Sequence, residues 1–201
     1  MTREHLRDAA WSLRIGEKFL DPVYARRGWS VARHPADSEQ QRRHVDVTLI
    51  RPGDVVRRID EKIIRGRRDG LPAINISYET MSCTIPGFER PGWGARDERN
   101  DSTHLLVCFA DLPDLDDDSW RRVCTLDCMR IPFPPLRDWF WRMGGECRWP
   151  IQHNGQSNGS ISHKVPIGEI LAEFPDARRF KIWTDGVAHR VWAPPRLRLV
   201  S

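Results

Sequence analysis

Asp46, Asp60 and Lys62 are the residues of this 201-residue chain whose types and spacing could do chemistry together. Asp46 lies in the alternating run His44-Val45-Asp46-Val47-Thr48-Leu49-Ile50. The turn Arg51-Pro52-Gly53-Asp54 then leads into a second run, Val55 to Arg65, which holds Asp60-Glu61-Lys62. In extended chain alternate side chains share a face, so Asp60 and Lys62 point one way while Ile59, Glu61 and Ile63 point the other. The apolar neighbours Val45, Val47, Leu49, Ile59, Ile63 and Ile64 place both strands in a core sheet, where charges are rare unless paired or metal-bound. Two carboxylates converging from adjacent strands can bind Mg²⁺ or Mn²⁺, hard cations that favour oxygen ligands. A lysine beside them can orient or deprotonate a water, or neutralise charge building on a phosphate. A cross-strand ion pair on an exposed strand would produce the same pattern for a fraction of a kcal/mol.

Other constellations are weaker. Cys124, Cys128, Cys147 and His153 could supply zinc ligands, but Cys124, Leu126 and Cys128 fall at period two on a strand, which suits small buried hydrophobes better. His153-Asn154 with His163 lacks a hairpin and helix around it. There is no Gly-x-Ser-x-Gly elbow, phosphate-cradling Gly-rich loop or dinucleotide fingerprint.

The elements that must position the acids can be read from periodicity. Leu6, Ala9, Ala10, Leu13, Phe19, Leu20 and Tyr24 recur at helical spacing from Glu4 to Tyr24, with Pro22 as a break. A short strand at Trp29 to Arg33 and a polar loop follow. The two acid-bearing strands, joined by a tight turn, should pair as an antiparallel hairpin. Ala73 to Thr80 alternates as a further strand, Ile85 to Thr103 is irregular, and Leu105 to Ala110 reads as a buried central strand. Arg122 to Ile131 is another strand, Pro134 to Met143 a helix, Gln152 to Ser162 a flexible loop, Val165 to Leu171 a short helix, and Arg179 to Trp192 a terminal hairpin. The class is α/β in one domain.

Composition narrows the setting. With 39% hydrophobic and 30% charged residues the chain belongs to the soluble globular class. No apolar run approaches the about 18 residues of a membrane span, and no secretory signal is visible, so a cytoplasmic location is expected. Five scattered cysteines suggest reduced thiols. Net charge is +4, but nine Lys/Arg face four acids between Arg42 and Arg68, while Asp111 to Asp118 holds five aspartates. That local basicity suits a polyanion, and a solvated basic face explains it equally well. Trp139, Phe140 and Trp141 could stack on unpaired bases, although large aromatics more often fill cores.

Asp46 followed by Asp60-x-Lys62 on consecutive strands, preceded by a helix, resembles the PD-(D/E)xK nuclease superfamily over roughly the first half of the chain. Gly16-Glu17-Lys18-Phe19-Leu20 and Arg27-Gly28-Trp29-Ser30-Val31 are similar to the first helix and strand of Holliday-junction-resolvase-like members. Asn75-Ile76-Ser77-Tyr78-Glu79, Pro91-Gly92-Trp93 and the strand Leu105 to Ala110 are similar to a phage and bacterial subgroup. Val45 stands where the family name has proline, and Thr103-His104 where Asp-Tyr is expected.

The resemblance implies a restriction-endonuclease-like mixed central sheet flanked by helices, with a core over residues 1–143 and a C-terminal elaboration, 144–201, packed on the same domain. It implies a Mg²⁺-dependent (or Mn²⁺-dependent) nuclease of phage or bacterial defence or mobile-element origin, acting on DNA more readily than RNA. Asp46, Asp60 and the Glu61 carbonyl would hold the metal, Lys62 the attacking water, and Glu17 and Glu79 would be secondary acids. Arg42, Arg43, Arg58, Arg65, Arg67 and Arg68 would meet phosphates. A homodimer is compatible with it. The alternative is a catalytically inactive nucleic-acid-binding or protein-interaction module on the same scaffold.

Overall fold

The computed structural model describes residues 3–35, 38–65, 73–85, 88–112, 118–153, 160–183 and 188–190. The fold is mixed α/β, built on two sheets. The helical start runs as α1 (Arg3–Ile15), a π-helical turn (Gly16–Leu20) and α2 (Asp21–Arg26) without a gap, Pro22 falling in the first turn of α2 where its missing N–H costs least. Strand β1 (Ser30–Arg33) follows, then a short helix α3 (Glu39–Arg42), β2 (Val47–Arg51) and β3 (Val55–Ile64). Strands β1, β2 and β3 form an antiparallel meander in which Val47 faces Ile59 and Arg51 faces Val55.

The chain then leaves this sheet. Strands β4 (Asn75–Ile85) and β5 (Phe88–Pro91) belong to a second sheet, and β6 (His104–Ala110) returns to lie parallel to β3. Parallel neighbours require such a crossover. Strand β7 (Thr125–Pro132) pairs antiparallel with β6 and is followed by α4 (Phe133–Arg142) and α5 (Gly145–Arg148). The rest comprises β8 (Ile151–His153), β9 (Ile161–Pro166), α6 (Ile167–Glu173), β10 (Arg178–Trp183) and β11 (Ala188–Arg190). The large sheet has the order β1-β2-β3-β6-β7-β10-β11 and the small one β5-β4-β9-β8. Residues after 143 therefore supply strands to both sheets rather than adding to one edge. The polar segment 152–162, expected as loop, begins and ends in paired strand, because the ladder to β4 overrides its composition.

Each face of the large sheet has its own core. One is covered by α1, the π-turn and α2 through Trp11, Ile15, Phe19, Leu20 and Val23. The other packs against the small sheet and α4 through Ile76, Tyr78, Phe133 and Phe140. Trp139 and Phe140 are buried there, Phe140 stacking on Tyr78 with ring centroids 4.0 Å apart, so these two rings are core rather than a platform for bases. The Gly92-Trp93-Gly94 turn closes over this cluster. The Gly94 carbonyl accepts from the Tyr78 hydroxyl (2.9 Å) and the Trp141 indole (3.1 Å), and a Cβ on Gly94 would lie 2.3 Å from the Tyr78 ring. Tyr78 is fully buried. Gly94→Ala should therefore destabilise by about 1–3 kcal/mol, read as a fall in urea midpoint at unchanged m. Among the described residues no helix is long and apolar enough to cross a membrane.

Candidate metal and phosphodiester site

Strand parity brings three of the expected residues together. Val47 and Leu49 point into the helix-covered core, so Asp46 is turned to the opposite face, and Asp60 and Lys62 leave β3 on that same face beside Leu105 and Val107. The ladder between β2 and β3 ends with the Asp46 N–H donating to the Ile59 carbonyl at 2.9 Å. Beyond that point β3 has no backbone partner on this edge among the described residues, and the Glu61 N–H donates instead to Asp46 Oδ2 at 2.6 Å. The Glu61 carbonyl leaves the strand on the same edge as its N–H.

Gln41, not anticipated from sequence, completes the support: its side-chain amide donates to Asp46 Oδ1. It is held by α3, whose Ser38 N-cap accepts from the Gln41 N–H at 3.2 Å. Ser38-Glu39-Gln40-Gln41 is the spacing of a capping box, the signal that could have revealed this helix inside a polar loop. Two hydrogen bonds occupy only part of the acceptor capacity of the Asp46 carboxylate. Gln41→Ala should leave the fold intact and weaken divalent-metal affinity about 10–100-fold, the usual effect of removing a residue that orients a ligand; isothermal titration with Mn²⁺ checks this.

Asp60 is 0% exposed, and neither of its oxygens accepts a well-directed hydrogen bond. Its close neighbours are the Lys62 ammonium, at 2.6 Å, and the Asp46 carboxylate. Burial raises the Asp60 pKa well above the ordinary range; Lys62 opposes the rise and Asp46 adds to it. The Lys62 pKa is raised because Asp60, Asp46 and Glu79 together outweigh the effect of burial, so Lys62 is a cation at neutral pH. A buried carboxylate whose only close cation among the described residues is a part-exposed lysine able to swing away, facing a second carboxylate, fits a hard divalent cation that keeps several waters. Among the described residues no group of three or more His, Cys, Asp or Glu side chains gathers to hold a metal.

The remaining expected residues fall elsewhere. Glu79 on β4 is near enough to act on Lys62, and its strand is closely overlaid by Gly92, where a Cβ would lie 2.5 Å from the Glu79 carbonyl. Glu17 is not at the site: it is on the surface, paired with Arg14 at 3.1 Å, because Gly16, Phe19 and Leu20 take the buried side of the π-turn. The Glu61 side chain points to the opposite face, where its carboxylate accepts from the Tyr24 hydroxyl and Arg33, both at 2.8 Å, while Arg33 also pairs with Asp21 at 2.7 Å. Asp21, not Glu17, is thus the helix acid tied to β3. Gly16 makes room for it, since a Cβ there would lie 2.6 Å from the Arg33 guanidinium.

Of the basic residues, Arg43 is paired with Glu39 and Asp101, and Arg65 with Asp8. Arg58 is exposed and shares the face of Asp60. Arg42 is exposed on α3; Arg67 and Arg68 lie outside the described residues. Thr103, at a position where the resemblance expects aspartate, joins strands instead: its hydroxyl accepts from the Arg58 N–H and donates to the Arg58 carbonyl, both at 3.0 Å. No family model, curated protein or solved structure matches the chain.

Proposed function

We propose that the chain is a metal-dependent nuclease with a restriction-endonuclease-like, PD-(D/E)xK-type site that hydrolyses phosphodiester bonds, in DNA rather than RNA. The observation that carries this reading is the fully buried Asp60 carboxylate, opposite Asp46 and with the Lys62 ammonium 2.6 Å from one of its oxygens. The arrangement of the sheet supports it: a helix, an antiparallel meander bearing the acids, and a parallel neighbour to β3.

Asp46 and Asp60 would hold the ion, with the Glu61 carbonyl on the adjoining edge. A divalent cation bound there supplies charge stabilisation for the phosphate and its departing oxygen. Gln41 and the Glu61 N–H hold the Asp46 carboxylate in one orientation, so that no reorganisation is needed when substrate arrives. Lys62, about one-third exposed, can turn its ammonium from Asp60 toward a phosphate oxygen or a water. Arg58 on the same face is placed to meet the backbone of the nucleic acid.

Incubation of supercoiled plasmid, linear DNA and RNA with the protein and Mg²⁺, Mn²⁺ or EDTA tests the reading. Cleavage with metal and none in EDTA is expected. Intact substrate in every form with every metal would leave a non-catalytic module on this scaffold.

A further inference from the structure

The helix-covered face of the large sheet carries a second collection of charge, on the opposite side of β3 from Asp60. A cavity of about 390 Å³ opens beside the end of α2, floored by apolar side chains including Leu49, Ile59 and Leu106. Its rim is arginine: Arg27 from the end of α2, Arg57 from β3, Arg130 from β7 and Arg178 from β10. Arg130 and Arg178 are direct partners in the β7–β10 ladder, a placement of like charges that a sheet ordinarily avoids. The acids nearby are already used: Asp127 by Arg179, and Glu61 by Arg33 and Tyr24. Among the described residues Arg27, Arg57 and Arg130 have no carboxylate within ion-pair distance, and the Arg130 Nε is buried with no acceptor.

Aromatic rings complete the wall. Arg57 lies over Trp29 at 4.8 Å and Arg27 over Phe180 at 6.0 Å. The arginines crowd one another: burial, then Arg130 and Arg57, depresses His104 to about 4, and burial followed by neighbouring arginines lowers Arg57 and Arg130. Guanidinium forks with free donors, set around an apolar and aromatic floor, suit an organic phosphate whose other end is flat and apolar. The volume is within the range of small-molecule sites.

From the unpaired guanidinium groups of Arg27, Arg57 and Arg130 and the apolar floor we infer that this cavity binds a nucleoside phosphate, its phosphoryl oxygens among those three arginines and its base against the floor. The ligand chemistry is shared by a free nucleotide and by the terminal nucleotide of a strand. The inference is independent of the nuclease reading, since the two sites occupy opposite faces of β3.

Isothermal titration in EDTA, which disables any metal site, tests it with AMP, ATP, adenosine, inorganic phosphate, and a trinucleotide with and without a 5′-phosphate. AMP or ATP should bind with a Kd below about 1 mM, and adenosine about tenfold more weakly or not at all. Arg57→Ala and Arg130→Ala should each weaken binding about tenfold or more, while Asp60→Asn should leave it unchanged. Tight binding of the 5′-phosphorylated trinucleotide alone assigns the site to a strand end, and of mononucleotides alone to a free nucleotide. Should Arg130→Ala not fold, Arg57→Ala and an ATP-dependent rise in the wild-type melting temperature decide the same question. Absence of binding by every phosphorylated probe, or affinity untouched by the arginine replacements, overturns the inference.

Discussion

Asp60→Asn should abolish metal-dependent cleavage, by about 10³-fold or more, while the melting temperature stays level or rises. Loss of one carboxylate from a two-carboxylate site removes most of the hold on the cation, and the several kcal/mol that an ion contributes at a phosphate converts to that factor at 1.36 kcal/mol per decade. The stability sign is opposite. Burial, reinforced by Asp46 and opposed by Lys62, raises the Asp60 pKa, so stability is greatest with the carboxyl protonated and falls as pH rises through the raised value. Above that raised value the wild type carries the deficit, and an uncharged amide carries it at no pH. On the nuclease reading, Asp60 trades stability for function.

A readout besides activity separates these effects. With an ion bound at tenfold over its Kd, the native state gains about 1.4 kcal/mol, or about 3–6 °C for a chain of this size. Mn²⁺ should raise the wild-type melting temperature by that amount and leave Asp60→Asn unmoved. Because a proton and the metal compete for Asp60, apparent metal affinity should climb as pH rises through its elevated pKa. Lys62→Ala should instead keep the metal-induced shift and lose cleavage about 10²–10³-fold, as when a charge-stabilising donor is removed. Wild-type cleavage by either variant would place the chemistry elsewhere.

The hairpin was legible because both of its signals are local: period-two alternation and a Pro-Gly turn. Parity alone put Asp60 and Lys62 on one face. The same parity puts Arg57 on the other, so its separation from Arg58 was readable one residue at a time. What could not be read was pairing at a distance. The alternation over residues 73–80 announced a strand but not its partner β9, with Ser77 opposite Lys164, and the arginine rim exists only because β3, β6, β7 and β10 lie side by side. The resemblance implied Glu17 as a supporting acid, but the π-turn after Ile15 buries Gly16, Phe19 and Leu20 and turns Glu17 to solvent. Gln41 was hidden by a four-residue helix that hydrophobic periodicity is too coarse to detect.

Arg33→Ala should be the most destabilising replacement near the site, by about 3–5 kcal/mol, although Arg33 touches neither Asp46 nor Asp60. Its guanidinium spans Asp21 and Glu61, and the Glu61 side chain is only 4% exposed. Breaking a buried pair strands the remaining charge, which costs far more than the pair itself contributes. Burial already outweighs Arg33 and the Tyr24 hydroxyl in setting the Glu61 pKa, which is raised; without Arg33 it must rise further. A carboxyl with a raised folded-state pKa regains stability as pH falls through that value, so the deficit measured by urea unfolding should be larger at pH 8 than at pH 5. Adding Glu61→Gln to Arg33→Ala removes the stranded charge and should recover much of the loss. An equal deficit at both pH values would show instead that Arg33 acts through the packing of its stem and not through charge.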